Sequence, residues 1–201
     1  MATIRSICVY CGSSPGKDPA FIDTARTFGK IMAENGVTLV YGGGSHGLMG
    51  AVGTSVIENG GKVVGVIPEF LKSREQMLPD ASEMIVTDNM HARKQIMFER
   101  ADAFVALPGG IGTLEELIEQ LTWLQLGRHH KPILFANVNG FWNPLVELLK
   151  HMKKNGFIHS DLKFEYGVAD RVEDILPQLR AAAAKYDEAE KHGDYEKLKK
   201  M

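Results

Sequence analysis

Cysteine is scarce in this chain. Only Cys8 and Cys11 occur in 201 residues, which excludes a small scaffold held by several disulfides. Their C-x-x-C spacing invites a redox or metal reading. Both, however, fall in a β-type run, Ile4 to Cys11, rather than at a helix start, and no second pair completes a zinc site. They read as reduced, structural residues. The seven histidines show no H-x-x-x-H or similar ligand spacing, so no metal site is expected. An excess of positive charge is also lacking. With 23 Lys and Arg against 25 Asp and Glu the net charge is −2, which leaves no electrostatic footprint for nucleic acid. No apolar run approaches the ~20 residues of a membrane span, and Met1 to Arg5 has no signal-peptide layout. A cytoplasmic protein is the expectation. What remains is 44% hydrophobic and 24% charged, suited to one globular domain with a sizeable core. That domain is expected over 1–186, followed by a charge-rich tail over 187–201.

Glycine is plentiful, and its placement organises the chain. Apolar runs alternate with helical patterns from end to end. Ile4 to Cys11 reads as a strand, Pro19 to Asn35 as a helix stopped by Gly36, and Val37 to Tyr41 as a second strand. A helix from about Leu48 to Glu58 and strands at Lys62 to Ile67 and Glu83 to Thr87 follow. Asn89 can cap a helix over Met90 to Ala101. Asp102 to Leu107 and Pro132 to Val138 read as further strands, and Trp142 to Asn155 and Arg171 to Tyr186 as further helices. The alternation predicts a Rossmann-like, doubly wound α/β domain: an open, mostly parallel sheet with helices on both faces. Ligands then bind beyond the C-terminal ends of the strands. The glycine loops at 12–16, 42–47 and 108–112 would all lie at that edge.

The stretch from Leu107 to Glu116 is the most telling of these loops. It reads strand, glycine turn, helix start. Glycines let a ligand approach the main chain, and the helix N-terminus adds free N–H groups and the positive end of a dipole. Gly109, Gly110, Ile111, Gly112 and Thr113 can therefore cradle an anion, phosphate above all, with the Thr113 hydroxyl as a further donor. Glu116 is the odd member, because a carboxylate repels phosphate. It either faces another part of the ligand or merely favours the helix dipole. Arg93 and Lys94 are odd too. Two cations near a helix N-terminus oppose its dipole, which a bound anion would explain.

A competing motif is present. Gly42, Gly44 and Gly47 spell G-x-G-x-x-G, with Glu69 near the spacing of a ribose contact. NAD binding is thus an alternative, although such glycines are common in tight turns and Pro68 immediately precedes the acid. On the helix after Thr113, residues advance about 100° each. Leu114, Leu117, Ile118, Leu121 and Leu124 cluster on a face expected to pack on the sheet. Glu116, Glu119, Trp123 and Leu126 fall roughly opposite. Trp123 and Leu126 are large for a water-facing surface, so a homodimer covering them, and shielding Glu116, is expected.

Pro108-Gly109-Gly110-x-Gly112-Thr113-x-x-Glu116, preceded by Met90-His91-x-Arg93-Lys94, resembles the LOG ("lonely guy") family of cytokinin riboside 5′-monophosphate phosphoribohydrolases. Relatives of this family often carry the label "lysine decarboxylase-like". The resemblance extends to Cys11-Gly12-Ser13-Ser14 and to Tyr41 through Gly50, and covers roughly Ile4 to Leu179. It implies a homodimeric, Rossmann-like enzyme that hydrolyses the N-glycosidic bond of a nucleoside 5′-monophosphate to free base and ribose 5-phosphate. It implies catalytic roles for Arg93 and Glu116. Substrate contacts would fall on Glu75, Arg93, Lys94, the turn from Gly110 to Glu116, and Thr122. The residue chemistry agrees: the turn holds phosphate, and a fixed carboxylate stabilises an oxocarbenium-like ribose and orients water. No cofactor is expected. A pyridoxal-phosphate decarboxylase would need a Schiff-base lysine in a cofactor motif, which is not evident. A non-catalytic nucleotide or cofactor carrier is the main rival, and Glu116 discriminates, since a phosphate carrier gains little from an acid there.

Overall fold

A computed structural model describes residues 4–73, 76–158 and 165–191, with side chains up to 186. Among these residues seven parallel strands, β1 (Ser6–Tyr10), β2 (Thr38–Tyr41), β3 (Val63–Pro68), β4 (Glu83–Thr87), β5 (Ala103–Ala106), β6 (Ile133–Ala136) and β7 (Gly167–Ala169), form one sheet in the order β4-β3-β2-β1-β5-β6-β7. Strand β1 pairs with β2 on one side (Ile7 with Leu39) and β5 on the other (Ile7 with Ala103). The chain leaves β1 leftwards and returns at β5 to build rightwards. The order therefore reverses between β1 and β5, and a ligand crevice is expected beyond their C-terminal ends.

Among the described residues six helices cover the sheet: α1 (Pro19–Glu34), α2 (Gly47–Glu58), α3 (Met90–Arg100), α4 (Ile111–Gln125), α5 (Asn143–Lys154) and α6 (Ile175–Lys191). Strand alternation divides the core in two. Ile7, Val9 and Cys11 join Phe28, Met32, Leu39, Tyr41, Val52 and Leu179 beneath α1, α2 and α6. Cys8 and Tyr10 point the other way, joining Val66, Met97, Phe104, Leu117, Leu121, Phe135 and Trp142 beneath α3, α4 and α5. Each such apolar side chain, fully withdrawn from water, contributes about 1.5–3 kcal/mol. The same alternation puts the sulfurs of Cys8 and Cys11 on opposite faces of the sheet, so these buried, free cysteines cannot pair with each other.

Helix starts follow local chemistry. The Asp18 carboxylate accepts the Ala20 N–H at 2.9 Å and caps α1, with Pro19 in the first helical turn. Asn89 accepts the Ala92 N–H at 2.9 Å and caps α3 as its position suggests. Two elements differ from expectation. β7 lies within a segment that shows no strand pattern, because three residues beginning with glycine carry no readable alternation. The last helix begins not at Arg171 but at Ile175, after a 3₁₀ turn over Val172–Asp174, and it runs on to Lys191. The Ala-, Glu- and Lys-rich sequence beyond Tyr186 favours helix intrinsically, so the charged segment begins inside α6 rather than after it. Among the described residues no helix is long and apolar enough to cross a membrane.

Candidate active site

The three glycine loops meet at the C-terminal edge of β2, β1 and β5. Gly12 N–H donates to the Pro108 carbonyl at 3.0 Å, and Leu48 N–H, at the start of α2, donates to the Gly12 carbonyl at 3.0 Å. The loops after β1 and β5, the two strands flanking the reversal point, are thus joined to each other and to α2. Helix α4 begins at Ile111 with Gly110 as its N-cap, and no side chain caps it. Its first N–H groups and the positive end of its dipole are therefore offered to a ligand rather than consumed internally.

The glycines of this turn divide by what surrounds them. A side chain at Gly109 would strike the Thr113 Oγ1 and Cβ, which packs the turn down on the first turn of α4. At Gly110 and Gly112 a Cβ would meet nothing within 4 Å. The turn therefore presents bare backbone to open space at the two positions best placed to meet an anion. Thr113 is buried, whereas Ile111 stands 83% exposed.

Glu116 sits one turn further along α4, and Arg93 reaches it from α3. Arg93 Nη1 lies 3.4 Å from Glu116 Oε1, with the two side chains only 10% and 11% exposed. The Arg93 Nε–H donates to the Val66 carbonyl within β3, 3.1 Å away, which fixes the guanidinium plane. Gly42 makes this pose possible, because a side chain there would overlap Arg93 Nη2. The first glycine of the G-x-G-x-x-G run thus leaves room for an arginine. That loop also follows β2, away from the reversal point, and Glu69 lies exposed with its carboxylate 3.1 Å from Lys72. These placements give the dinucleotide reading no structural support.

Burial pushes the Glu116 carboxyl above its ordinary range, Arg93 and Lys94 pull it back, and Glu115 and Glu119 add to the rise. Below it on β1, burial raises the Tyr10 hydroxyl and the Cys8 thiol, and the Glu116 charge raises both further. The expectation that Glu116 lies on the outer side of α4, needing a partner subunit to cover it, is corrected here. Glu116 and Gln120 are buried within the chain, while Ile118, expected on the sheet, is 37% exposed. A helical wheel reads polarity, and it missed that a cation from a neighbouring helix lets a carboxylate turn inward.

Other expected site residues are placed differently. Lys94 is ion-paired with α4: its ammonium lies 2.6 Å from Glu115 Oε1 and 2.9 Å from Glu119 Oε1. Thr122 is exposed, and its hydroxyl donates to the Ile118 carbonyl of its own helix at 2.8 Å. Glu75 lies outside the described residues. Trp123 packs edge-on against Phe98 of α3 with ring centroids 5.0 Å apart, so much of its apolar surface is met within the chain. Sequence reading gave no hint of the Val66 carbonyl, the clearance at Gly42, or the Tyr10 and Cys8 side chains beneath Glu116.

Comparison with known proteins adds a family and a fold. The family model described as "Possible lysine decarboxylase" matches residues 49–179. A probable cytokinin riboside 5′-monophosphate phosphoribohydrolase of Oryza sativa subsp. japonica is 43% identical over 191 residues, 95% of this chain and 83% of the relative. A cytokinin riboside 5′-monophosphate phosphoribohydrolase of Arabidopsis thaliana is 42% identical over 184 residues, 92% of this chain and 85% of the relative. Among solved structures, a molybdenum cofactor carrier protein from Chlamydomonas reinhardtii superposes with a TM-score of 0.67 at 23% identity, covering 90% of this chain and 99% of that one. A molybdenum cofactor binding protein from Rippkaea orientalis superposes with a TM-score of 0.65 at 20% identity, covering 90% of this chain and 98% of that one. At that identity the likeness is one of fold.

Proposed function

The chain belongs to the LOG family of cytokinin riboside 5′-monophosphate phosphoribohydrolases, and on that premise we propose that it hydrolyses the N-glycosidic bond of adenine-type nucleoside 5′-monophosphates, releasing free base and ribose 5-phosphate. The observation that carries the reading is a buried Arg93–Glu116 pair one helical turn from an uncapped glycine turn. The 5′-phosphate docks on the N–H groups of Gly110, Ile111, Gly112 and Thr113. The ribose then lies toward Glu116. As the bond to the base lengthens, positive charge grows on the ribose ring, and a carboxylate held in low dielectric stabilises that charge and orients the attacking water. Arg93 keeps the carboxylate aimed and contributes positive charge near the phosphate. Hydrolysis of this kind needs no redox cofactor.

A carrier function is the second reading, since the fold neighbours include a molybdenum cofactor carrier protein and a molybdenum cofactor binding protein. Glu116 argues against it. Burying a carboxylate beside an anion site opposes phosphate binding, whereas glycoside cleavage uses it. We take residues 1–186 as the catalytic domain and a homodimer as the working form, with Leu126, 68% exposed, and Ile118 on the contacting surface. A cytoplasmic setting suits the free cysteines and a nucleotide substrate.

The test is direct. Purified protein is incubated in EDTA with AMP and with N6-isopentenyladenosine 5′-monophosphate, and free base is quantified by chromatography. Release of base from at least one substrate is expected. Folded protein releasing base from neither would refute the hydrolase reading.

A further inference from the structure

Met90 Sδ touches Arg93, and the hydrolytic chemistry gives it no part. Met90 and Arg93 stand three residues apart on α3, so their side chains share one face of the helix. Arg93 Nη1, the nitrogen that lies 3.4 Å from Glu116 Oε1, also donates to Met90 Sδ at 3.8 Å. One guanidinium nitrogen is thus shared between a carboxylate and a thioether. The thioether is the weaker acceptor, so the balance favours Glu116. The gap left at Gly42 brings in a second sulfur, because a side chain there would meet both Arg93 Nη2 and Met49 Sδ. Of these two methionines Met49 is buried, whereas Met90 is half-buried at the first position of α3. Cys8 and Cys11 are buried as well, and burial raises both thiols, which keeps them in the less reactive protonated form. Met90 therefore presents the sulfur most open to an oxidant at the Arg93–Glu116 pair.

We propose that Met90 is an oxidation-sensitive clasp on Arg93: a peroxide converts its thioether to the sulfoxide, whose oxygen takes Arg93 Nη1 from Glu116 and lowers base release. The step balances. A sulfur lone pair attacks the O–O bond of hydrogen peroxide, an S–O bond forms, the O–O bond breaks and water leaves. Sulfur is oxidised by two electrons and the peroxide is reduced by two. A weak acceptor becomes a polar one on an atom already in contact with Nη1. N–H···O bonds close at about 2.7–3.2 Å, so an oxygen carried by that sulfur reaches Nη1 across the 3.8 Å gap without backbone movement. The guanidinium stays anchored through Nε on the Val66 carbonyl and turns about that bond. Its contact with Glu116, long at 3.4 Å, is the one that yields. Methionine sulfoxide reductases reverse the change. The effect on turnover rests on the hydrolase reading, whereas the movement of Arg93 does not.

The experiment treats the protein with hydrogen peroxide and maps methionine oxidation by mass spectrometry. It reads kcat/KM for AMP together with the Arg93 Nε–H resonance in 1H–15N NMR. Wild type, Met90→Leu, Met90→Gln and a Met77→Leu/Met152→Leu double variant are each compared with their own untreated sample. Met77 and Met152 are exposed, so they oxidise as well and serve as bystanders. Conversion of Met90 in the wild type should shift the Arg93 resonance and lower kcat/KM by about tenfold, the scale of one hydrogen bond to a charged group. Methionine sulfoxide reductases of both epimer classes should restore the two readouts. The double variant should respond as the wild type does, whereas Met90→Leu should hold both readouts at the same dose. Met90→Gln, whose amide oxygen stands in for that of the sulfoxide, should show the shifted resonance without peroxide. Should Met90→Leu not fold, Met90→Gln and reductase reversal in the wild type still test the clasp. The proposal is overturned if Met90 resists a dose that oxidises Met77 and Met152, or if Met90→Leu loses activity on treatment as the wild type does. It is overturned equally if the Met90 sulfoxide leaves the Arg93 resonance, or the kcat/KM of an active wild type, unmoved. Base release absent even from untreated wild type, with the Arg93 resonance shifting as described, refutes the hydrolase reading and leaves the clasp standing.

Discussion

Replacing Arg93 by methionine should destabilise the protein in a way that depends on pH. The guanidinium is buried, lies 3.4 Å from Glu116 and donates to the Val66 carbonyl. Methionine fills much of the same space and supplies neither interaction. Losing one partner of a buried ion pair costs about 3–5 kcal/mol when the remaining charge has no escape. Glu116 has one, because it can bind a proton. From an ordinary value of 4.5, protonating a carboxyl costs about 3.4 kcal/mol at pH 7 and about 0.7 kcal/mol at pH 5. That is the ceiling on the electrostatic penalty at each pH. The unsatisfied Val66 carbonyl adds about 1 kcal/mol at both. The variant should therefore lose about 4 kcal/mol at pH 7 and about 2 kcal/mol at pH 5. The sign follows from linkage. A folded state that holds a proton on Glu116 when the unfolded chain does not loses stability as pH rises. Urea unfolding of wild type, Arg93→Met, Glu116→Gln and the double variant at both pH values reads these terms. The double variant, with no buried charge left alone, should recover most of the loss at pH 7. A penalty equal at both pH values, or one that Glu116→Gln does not relieve, would refute the coupling of this pair.

Three further outcomes follow from local geometry. Gly110→Ala meets no neighbour within 4 Å and has an ordinary backbone conformation, so it should keep full stability yet weaken AMP binding by about tenfold in calorimetry; Gly109→Ala, whose new methyl strikes Thr113, should lose both. His129 is held neutral, with Nε2–H donating to the Gln120 carbonyl and Nδ1 accepting the Lys131 N–H. Burial pushes its pKa down to about 4. Its contribution is present above the ordinary value of 6.5 and lost as pH falls toward 4, on the order of 2 kcal/mol after solvent screening. A His129 ring that titrates near 6.5 by NMR would contradict this. Leu126→Asp should lower the mass seen by light scattering from dimer to monomer without loss of fold, a cleaner test than Trp123, which also packs on Phe98.

Much of this architecture is legible in the sequence because it rests on local signals. Asn89 caps α3, Gly36 follows the C-cap of α1, and β4 occupies Glu83–Thr87 as its pattern suggests. The glycine turn that opens α4 is legible for the same reason, since glycines before an apolar helical pattern have a direct backbone meaning. What was not legible depends on partners distant in sequence. A helical wheel puts Glu116 outward because it cannot see Arg93 arriving from another helix. The ion pairs of Lys94 are equally out of reach of sequence, because Glu115 and Glu119 become its partners only when α3 packs on α4. Gly42 looked like part of a dinucleotide fingerprint, and its role emerged only with the guanidinium lying against it. β7 was too short to show a period at all.

The central claim is that the Glu116 carboxylate acts on the transition state of glycosidic cleavage. Glu116→Gln keeps the size of the side chain and most of its hydrogen bonding, and it removes the charge. Turnover of AMP or its N6-isopentenyl derivative, measured beside AMP affinity by calorimetry, separates the roles. The account predicts a kcat lower by about 10²- to 10⁴-fold with nucleotide binding retained. A variant that turns over at near the wild-type rate would contradict it and reduce Glu116 to a charge at a helix N-terminus.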